Sequence, residues 1–463
     1  MTLASPTGSN DLVPHLRPAP GPSNVRATTA AMQRTPLSFL LEMTQRYGDV
    51  VRLPVRGGPI YLINHPDGVR QVLQENAKHY GKDPHENGIF IRIVGHSILT
   101  TEGDIWLRLR RLEQPAFHRH HVLGASAAMV EAAQTYLDGW REDAAQGKVI
   151  DLVPSMTTLV LRVLGKALFS LDLEADTRTI GESMQVIGTY ALALFYQPLL
   201  PYFGPLMKRN RQWNSARRAL DEVVFRMIQK RRTQLDALSP QTDLLTFLLL
   251  LRDDDGQPAF TDAEIRNETL SLLIAGHENA TSLLCWTWYL LAQHPAAAER
   301  VFNEVATQLQ GRTPTLDDLA QLPSIRMVLE EALRLYPPAW SFPRRALADD
   351  AIGGYAIPAG TAVLLSPYTT HRHPAFWRDP DVFDPERFSE APEASRPRYA
   401  HFPFGGGQHQ CMGATFAMME AHLLVAMIAQ HYRLETLPGF SVRPEPLVTL
   451  RPHELPMRLH LAP

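Results

Sequence analysis

The stretch that decides the fold is Phe404-Gly405-Gly406-Gly407-Gln408-His409-Gln410-Cys411-Met412-Gly413, and a buried-helix pattern over Phe416–Ala429 follows it. Three consecutive glycines let the backbone turn tightly and approach a flat cofactor, because no Cβ atom stands in the way. Cys411 lies just before the predicted helix, where free N–H groups and the helix dipole favour a thiolate. A lone cysteine is more often buried and inert. A glycine-rich loop, a cysteine and a helix start in this order instead indicate a cofactor ligand.

The same stretch resembles the haem-binding loop of the cytochromes P-450. The family's pattern is an aromatic residue, a glycine, a basic residue, the ligand cysteine and a glycine, and Phe404, His409 and Cys411 match it. The resemblance extends from a predicted hairpin near Val50 to the end of the chain. It implies a mainly α cytochrome P-450 fold with small peripheral β-sheets, and Cys411 as the only protein ligand to the iron of haem b. A thiolate ligand favours cleavage of the O–O bond, so the implied activity is monooxygenation.

Further residues resemble the family's partners of the haem propionates. Trp106 and Arg110 lie in Trp106-Leu107-Arg108-Leu109-Arg110, and Arg344 lies in Phe342-Pro343-Arg344-Arg345-Ala346. His409 precedes the ligand cysteine by two positions. Each propionate is an anion beside a low-dielectric core and needs charged donors. Taken without the family, each arginine is also compatible with an ordinary surface position.

A carboxylate and a guanidinium stand three positions apart in Glu331-Ala332-Leu333-Arg334. By itself such a pair is usually a solvated contact of little energetic value. It resembles the family's Glu-x-x-Arg pair, which binds an arginine further along the chain, and Arg387 in Asp384-Pro385-Glu386-Arg387-Phe388 matches that partner. The resemblance implies a structural role for Glu331, Arg334 and Arg387.

The clearest helix signal begins at Thr261-Asp262-Ala263-Glu264, a capping box, and continues to Gln293, where His294-Pro295 ends it. Such a helix is about 48 Å long at the standard rise per residue. Its second half is largely apolar, which predicts a buried central helix.

Midway along this helix the sequence reads Ala275-Gly276-His277-Glu278-Asn279-Ala280-Thr281. Small residues at Ala275 and Gly276 predict close passage over the haem face. Glu278 is costly in an apolar helix unless it serves a proton relay. The family has threonine where this chain has Asn279, and Thr281 lies about 200° further around the helix and does not replace it. We therefore predict Glu278 and Asn279 as catalytic residues.

By resemblance, eight residues and one apolar segment line the substrate pocket. The aromatic character of the segment Tyr190–Phe203 indicates a lipophilic terpenoid, fatty-acyl or polyketide-like substrate, although core packing explains each residue equally well. The eight predicted pocket residues are His96, Ser97, Ala275, Gly276, Trp340, Phe342, Val448 and Thr449.

Composition limits the alternatives. The chain has 463 residues, a formal net charge of −3 and two cysteines, Cys285 and Cys411. The charge excludes a general nucleic-acid binder, and two cysteines give no disulfide framework, which fits a reducing cytoplasm. We expect no membrane span and no signal segment. The predicted organisation is a flexible Pro-rich lead-in over residues 1–25 and a single haem domain over residues 26–463.

Short strands are predicted near both ends of the chain, at Val50–Val55, Ile60–Asn64, Thr361–Leu365 and Leu447–Leu450, the last as a strand or a turn. The sequence contains no glycine-rich dinucleotide or flavin fingerprint. Electrons should therefore reach the haem from a separate ferredoxin or flavodoxin-type donor. Arg108 and Arg111 are candidate steering charges for that donor.

Two other functions stay open on the sequence. A haem-thiolate isomerase or dehydratase, which needs no reductase, would suit Asn279 but not Glu278. A non-catalytic haem sensor has no need of an acid in this helix. Consumption of reductant with and without a redox partner would separate the three.

Overall fold

The structure is a computed structural model that describes residues 16–117, 119–197, 207–235, 243–253, 255–389 and 396–463, with side chains omitted at residues 119–123 and 196. Helices dominate the described chain. In chain order the α-helices are α1 (Val25–Arg34), α2 (Pro36–Tyr47), α3 (Pro66–Arg70), α4 (Pro84–Val94), α5 (Gly103–Glu113), α6 (Arg119–Asp138), α7 (Trp140–Ala145), α8 (Leu152–Phe169), α9 (Thr177–Tyr196), α10 (Lys208–Arg232), α11 (Leu244–Leu250), α12 (Asp262–Gln293), α13 (Pro295–Leu309), α14 (Pro323–Leu335), α15 (Pro367–Thr370) and α16 (Ala414–His431).

The strands are short, as predicted for peripheral sheets. They are β1 (Val50–Val55), β2 (Gly58–Ile63), β3 (Tyr80–Lys82), β4 (Val149–Asp151), β5 (Phe342–Ala346), β6 (Asp350–Ile352), β7 (Tyr355–Ile357), β8 (Ala362–Leu365), β9 (Tyr432–Thr436), β10 (Pro444–Pro446), β11 (Leu450–Pro452) and β12 (Pro456–Leu461).

The contacts divide the chain into two compact units. The sheet unit comprises residues 1–86, 341–380 and 396–410, and the helical unit comprises residues 87–340, 381–395 and 411–463. The assignment of residues 26–463 to a single domain stays a prediction.

The sheet unit is built on a five-stranded sheet of order β1-β2-β8-β5-β3. The predicted hairpin pairs β1 with β2 antiparallel from Val50↔Ile63 to Val55↔Gly58. Its two-residue turn requires left-handed backbone at Gly57, where φ is 97°, and glycine adopts this conformation without a Cβ clash. Strand β2 begins two residues before the predicted Ile60, because the hairpin register extends the ladder to the turn.

The second half of the predicted lead-in is packed onto this unit. Ala19 is buried, and the Arg52 N–H donates to the Pro20 carbonyl at 2.8 Å. Asn24 then caps α1, its side chain accepting from the Ala27 N–H at 3.0 Å. The chain is therefore held in place well before residue 26.

The helical unit is organised around α12. Its capping box forms as predicted: the Thr261 hydroxyl accepts from the Glu264 N–H, and the Glu264 carboxylate accepts from the Thr261 N–H at 2.7 Å. The helix ends at Gln293, at the predicted stop. Its second half is buried, with Trp286 stacked on Tyr336 at 3.8 Å between ring centroids. The predicted central helix is confirmed.

One described helix, α8, is long and apolar enough to cross a bilayer by length and composition alone. In this structure 56% of it is buried inside the unit. A core helix of a globular protein passes the same test, so α8 is weak evidence for a membrane span.

Candidate active site

Cys411 lies at the start of the helical unit's last segment, three residues before α16. The residue keeps an exposed surface, yet burial raises the pKa of its thiol above the ordinary value, against the opposing effects of the Gly413 N–H and Arg110. Both observations are expected of a side chain that faces an internal space. Desolvation outweighs the effect of the Gly413 N–H and of Arg110 on this pKa, so the preference for the thiolate expected from the helix start stays a prediction.

Helix α5 carries Trp106 and Arg110, the residues predicted to bind a propionate. Trp106 is buried, and Arg110 donates from Nε to the Gln114 side chain at 3.3 Å. Burial lowers the pKa of Arg110, whereas Cys411 and Glu113 raise it. The guanidinium therefore lies within electrostatic range of the thiol.

A pair of buried carboxyl groups joins α5 to α12, and no sequence pattern predicted this pair. Glu113 and Glu268 have no exposed surface. Glu268 accepts from the Ile98 N–H at 3.0 Å, whereas Glu113 finds no hydrogen-bond partner other than Glu268 among the described residues. Burial and the nearby Glu268 raise the pKa of Glu113 well above its ordinary value, with Arg110 opposing. The raised pKa favours the protonated form of Glu113, which can donate a hydrogen bond to Glu268.

Replacing Glu113 by glutamine should stabilise the protein at alkaline pH. A carboxyl whose folded pKa is raised contributes stability below the unfolded pKa, and loses it as pH rises through the folded pKa. Glutamine keeps an N–H donor for Glu268 and cannot ionise, so we expect a gain of about 1–3 kcal/mol at high pH and little change near pH 4. The temperature of haem loss across pH 4–9 measures this. Glu299→Gln, on the exposed surface of α13, is the control, and a Glu113→Gln curve parallel to the parent curve would contradict the assignment.

The middle of α12 has an uncovered strip between buried turns. Ala275 is exposed and Glu278 and Asn279 are partly exposed, although residues 269–273 and 280–288 are buried. Gly276 faces helix α8 instead, because a Cβ atom there would lie 2.9 Å from the Leu164 side chain of that helix. Helix packing therefore explains the glycine at position 276, in place of the predicted approach to the cofactor or substrate.

Glu278 is the acidic residue of this strip. Burial raises the pKa of Glu278 to about 7, and Arg451 of β11 partly opposes the shift. The neighbouring His277 is buried, and burial lowers its pKa to about 4, so the imidazole is neutral. Thr281 points into the core, and its hydroxyl has no hydrogen-bond partner among the described residues. As predicted from the helical angle, Thr281 does not share the strip with Asn279.

Glu331, Arg334 and Arg387 lie together in the helical unit. Glu331 and Arg334 are fully buried, and Arg334 donates to both carboxylate oxygens at 2.7 and 2.8 Å. The Arg387 Nε lies 3.6 Å from Glu331. Glu331 also accepts from the Asp384 N–H at 2.8 Å, and Arg334 donates to the Val382 carbonyl at 3.1 Å. The set thus joins α14 to the segment that follows residue 380.

Three predicted pocket residues of the helical unit come together at the β10–β11 hairpin. The Trp340 indole N–H donates to the Leu447 carbonyl at 3.1 Å, and Val448 and Thr449 form the turn that follows. Leu450 anchors the hairpin on α12, its carbonyl accepting from the Trp286 indole N–H at 3.0 Å and from the Ser282 hydroxyl at 2.5 Å. The prediction of a strand or turn at Leu447–Leu450 corresponds to this hairpin turn.

The other predicted pocket positions in this unit differ in character. Ser97 is fully buried, and its hydroxyl bonds to that of Ser271 on α12 at 3.2 Å. His96 is exposed. Within the segment Tyr190–Phe203, Tyr190 stacks on Trp213 at 4.6 Å, and residues 198–203 lie outside the described part of the chain.

The remaining predicted residues belong to the sheet unit. The Arg344 guanidinium lies over the Phe342 ring at 5.2 Å from its centroid, and Phe404 and His409 are partly buried. Gly407 approaches the backbone so closely that a Cβ atom would lie 1.8 Å from the Leu73 carbonyl oxygen, and its φ is 64°. Only glycine fits there, which explains the last of the three glycines.

The chain matches the family model for cytochrome P450 over residues 14–455. The chain belongs to the cytochrome P450 family. It is 34% identical to cyclooctatin synthase of Streptomyces melanosporofaciens, with 93% of each chain covered. It is also 34% identical to cyclooctat-9-en-7-ol 5-monooxygenase of the same organism, over 92% of this chain and 90% of the relative. Identity to pentalenene oxygenase of Streptomyces avermitilis is 32%, over 95% and 96%.

This cytochrome P450 is therefore a monooxygenase with haem b as its cofactor, as the sequence predicted. The residues of the helical unit fit that cofactor. The Cys411 thiol is accessible although burial raises its pKa. The Arg110 cation lies within electrostatic range of the thiol, and Ala275 leaves an uncovered strip on a buried helix.

Two residues of this P450 have surroundings that sequence patterns do not reveal. Arg451 lies on a hairpin far along the chain from Glu278. Its charge lowers the pKa of Glu278 and so partly opposes the effect of burial. Arg108, expected to steer a redox partner, lies 3.5 Å from Glu264 and donates to the Ala259 carbonyl. Its charge is thus partly compensated, whereas Arg111 is exposed.

Proposed function

We propose that this P450 inserts one oxygen atom into a terpenoid, using electrons from a separate ferredoxin or flavodoxin-type donor in the cytoplasm. The observation that carries the substrate class is full-length similarity to terpenoid-oxidising relatives. Fatty-acyl and polyketide-like compounds are the competing classes.

The bound haem would supply dioxygen activation and oxygen insertion. Cys411 is the proposed axial ligand, oriented by the Gly413 N–H. Trp106 and Arg110 on α5, with Arg344 and His409 of the sheet unit, are the proposed propionate partners, and Phe404 is the aromatic residue of the cysteine loop. Each of these roles follows from the family motif residue by residue.

A screen of ligands on the ferric enzyme tests the substrate class. Displacement of water from the haem by a bound ligand shifts the Soret band, so cyclic terpenoids should give saturable shifts at lower concentrations than fatty acids of equal carbon number. Reductant consumption should then require an added ferredoxin or flavodoxin with its reductase. Saturable shifts with fatty acids alone would overturn the terpenoid assignment.

Proton delivery is the proposed task of Glu278 and Asn279. With a pKa of about 7, the Glu278 carboxyl can both take up and release a proton near neutral pH. It is the proposed relay acid. Asn279 lies beside it on the uncovered strip and carries both an amide donor and a carbonyl acceptor. It is the proposed orienter of the hydrogen-bonded group that passes the proton on.

Asn279→Ala should increase the fraction of reductant lost as hydrogen peroxide and slow product formation by about tenfold or more. The physical reason is that protons delivered out of order release reduced dioxygen before oxygen insertion. Peroxide and product per reductant consumed measure the effect. Thr281→Val is the matched control, since its buried hydroxyl is not on the strip. A peroxide fraction equal to that of the parent would show that Asn279 takes no part in proton delivery.

A further inference from the structure

The side-chain amide of Asn279 has a fixed orientation. Its Nδ2 donates to the Ala275 carbonyl, one turn earlier on α12, at 2.9 Å. A backbone carbonyl only accepts, so the NH₂ group must face Ala275 and Oδ1 must point away from it.

The Oδ1 atom of Asn279 is left without a donor. No described residue donates a hydrogen bond to it. Asn267, earlier on the same helix, offers a comparison: its Oδ1 accepts from Arg266 at 2.9 Å, and its Nδ2 donates to the His96 carbonyl at 3.1 Å. Both polar atoms of the Asn267 side chain therefore have protein partners. Oδ1 of Asn279, in contrast, has no donor among the described residues.

This acceptor lies on the uncovered strip of α12. Ala275 is exposed beside it, and the turns on either side are buried and largely apolar. Because the strip is uncovered, water can reach this acceptor; a ligand that covers the strip leaves the acceptor unsatisfied, at a cost, unless the ligand brings a donor of its own. The Thr281 hydroxyl is buried away from the strip, and neither it nor Glu278 donates a hydrogen bond to Oδ1 of Asn279. A donor must therefore come from whatever occupies the space in front of Ala275.

We propose that Oδ1 of Asn279 accepts a hydrogen bond from a hydroxyl group of the substrate, so that the enzyme selects terpenoid alcohols over terpene hydrocarbons. This inference rests on the proposed terpenoid function and narrows it. One relative, cyclooctat-9-en-7-ol 5-monooxygenase, carries an alcohol in the name of its substrate. The hydroxyl would fix which face and carbon of the skeleton are oxidised. It would also be the group that Asn279 orients beside Glu278.

The enzyme would then act late in a reaction sequence. Its substrate must come from a reaction that installs a hydroxyl, either a terpene cyclisation quenched by water or an earlier hydroxylation. Its product would carry at least two oxygen functions.

The test compares a matched pair of ligands on ferric holoenzyme, α-cedrene and its alcohol cedrol, by Soret-shift titration. The quantity of interest is the ratio of the alcohol Kd to the hydrocarbon Kd, which cancels changes in general pocket hydrophobicity. Asn279→Leu has a similar volume and no acceptor, so the ratio should rise about 3- to 10-fold over the parent. Asn279→Asp keeps an acceptor and should keep the ratio near or below that of the parent. The reduced carbon monoxide spectrum of each variant confirms an intact site.

The outcomes separate the two hypotheses. If both ligands bind and the ratio of the alcohol Kd to the hydrocarbon Kd is unchanged in Asn279→Leu, the hydroxyl contact is overturned. The proposed terpenoid oxidation would then still stand, and water would be the donor to Oδ1. Binding of neither cedrene nor cedrol, with clear shifts from fatty acids, would overturn the terpenoid function and this inference with it.

Discussion

Cys411→Ser is expected to abolish the strongly red-shifted Soret band of the reduced carbon monoxide complex. That band depends on electron donation from a thiolate, and a serine hydroxyl does not ionise at neutral pH to replace it. Burial raises the pKa of the Cys411 thiol, and the bond to iron is expected to stabilise the thiolate against this effect. Carbon monoxide difference spectra measure the loss, and haem content per protein should also fall.

Cys285→Ser is the matched control, since Cys285 is the other cysteine of the chain. It is fully buried in α12, with its sulfur 3.9 Å from the Leu152 carbonyl. Burial raises the pKa of this thiol strongly, so it remains an inert core side chain. The variant should keep the red-shifted band. Loss of the band in Cys285→Ser, with retention in Cys411→Ser, would reverse the ligand assignment.

Local sequence signals predicted the elements whose causes are local. The capping box at Thr261 and Glu264 fixes the start of α12, and His294-Pro295 fixes its end, because both signals act within one helical turn. The hairpin at Gly57 is another such case. In each, the residues that determine the structure are the residues that adopt it.

The family motif predicted contacts between distant segments that periodicity could not. Arg387 is brought to Glu331 by the path of the chain, and nothing in the local pattern of either segment requires the contact. The resemblance supplied that pairing, and the geometry confirms that the three side chains meet.

Neither the local sequence signals nor the family motif predicted which side chains surround each site residue. The small residue at Gly276 suggested cofactor passage, yet Leu164 of α8 fills that side. The sequence around Glu113 did not predict a second carboxyl group beside it, because Glu268 lies on another helix. Such features depend on which side chains of remote elements face one another. That is decided by packing, and a single sequence does not reveal it.

Arg334→Ala is expected to yield little haem-loaded protein. The guanidinium makes two charge-assisted hydrogen bonds to Glu331 and a third to the Val382 carbonyl, with no exposed surface on either charged partner. Its removal leaves a buried carboxylate whose contacts among the described residues include Arg387 at 3.6 Å and the Asp384 N–H. Loss of one partner of a buried pair typically costs about 3–5 kcal/mol. The ratio of Soret to protein absorbance, and the urea midpoint of any folded fraction, measure the effect.

Arg300→Ala provides the comparison that makes this result specific. Arg300 also pairs with a glutamate, Glu386, at 3.5 Å, but about half of each side chain is exposed. An exposed pair of this kind contributes about 0–1 kcal/mol, so haem content should stay at the parent level. If Arg334→Ala retained normal haem content and lost only turnover, the Glu331–Arg334–Arg387 set would act in the reaction itself. Each substitution removes one positive charge beside one glutamate. The expected difference in haem content between the two variants therefore follows from the burial of the Glu331–Arg334 pair alone.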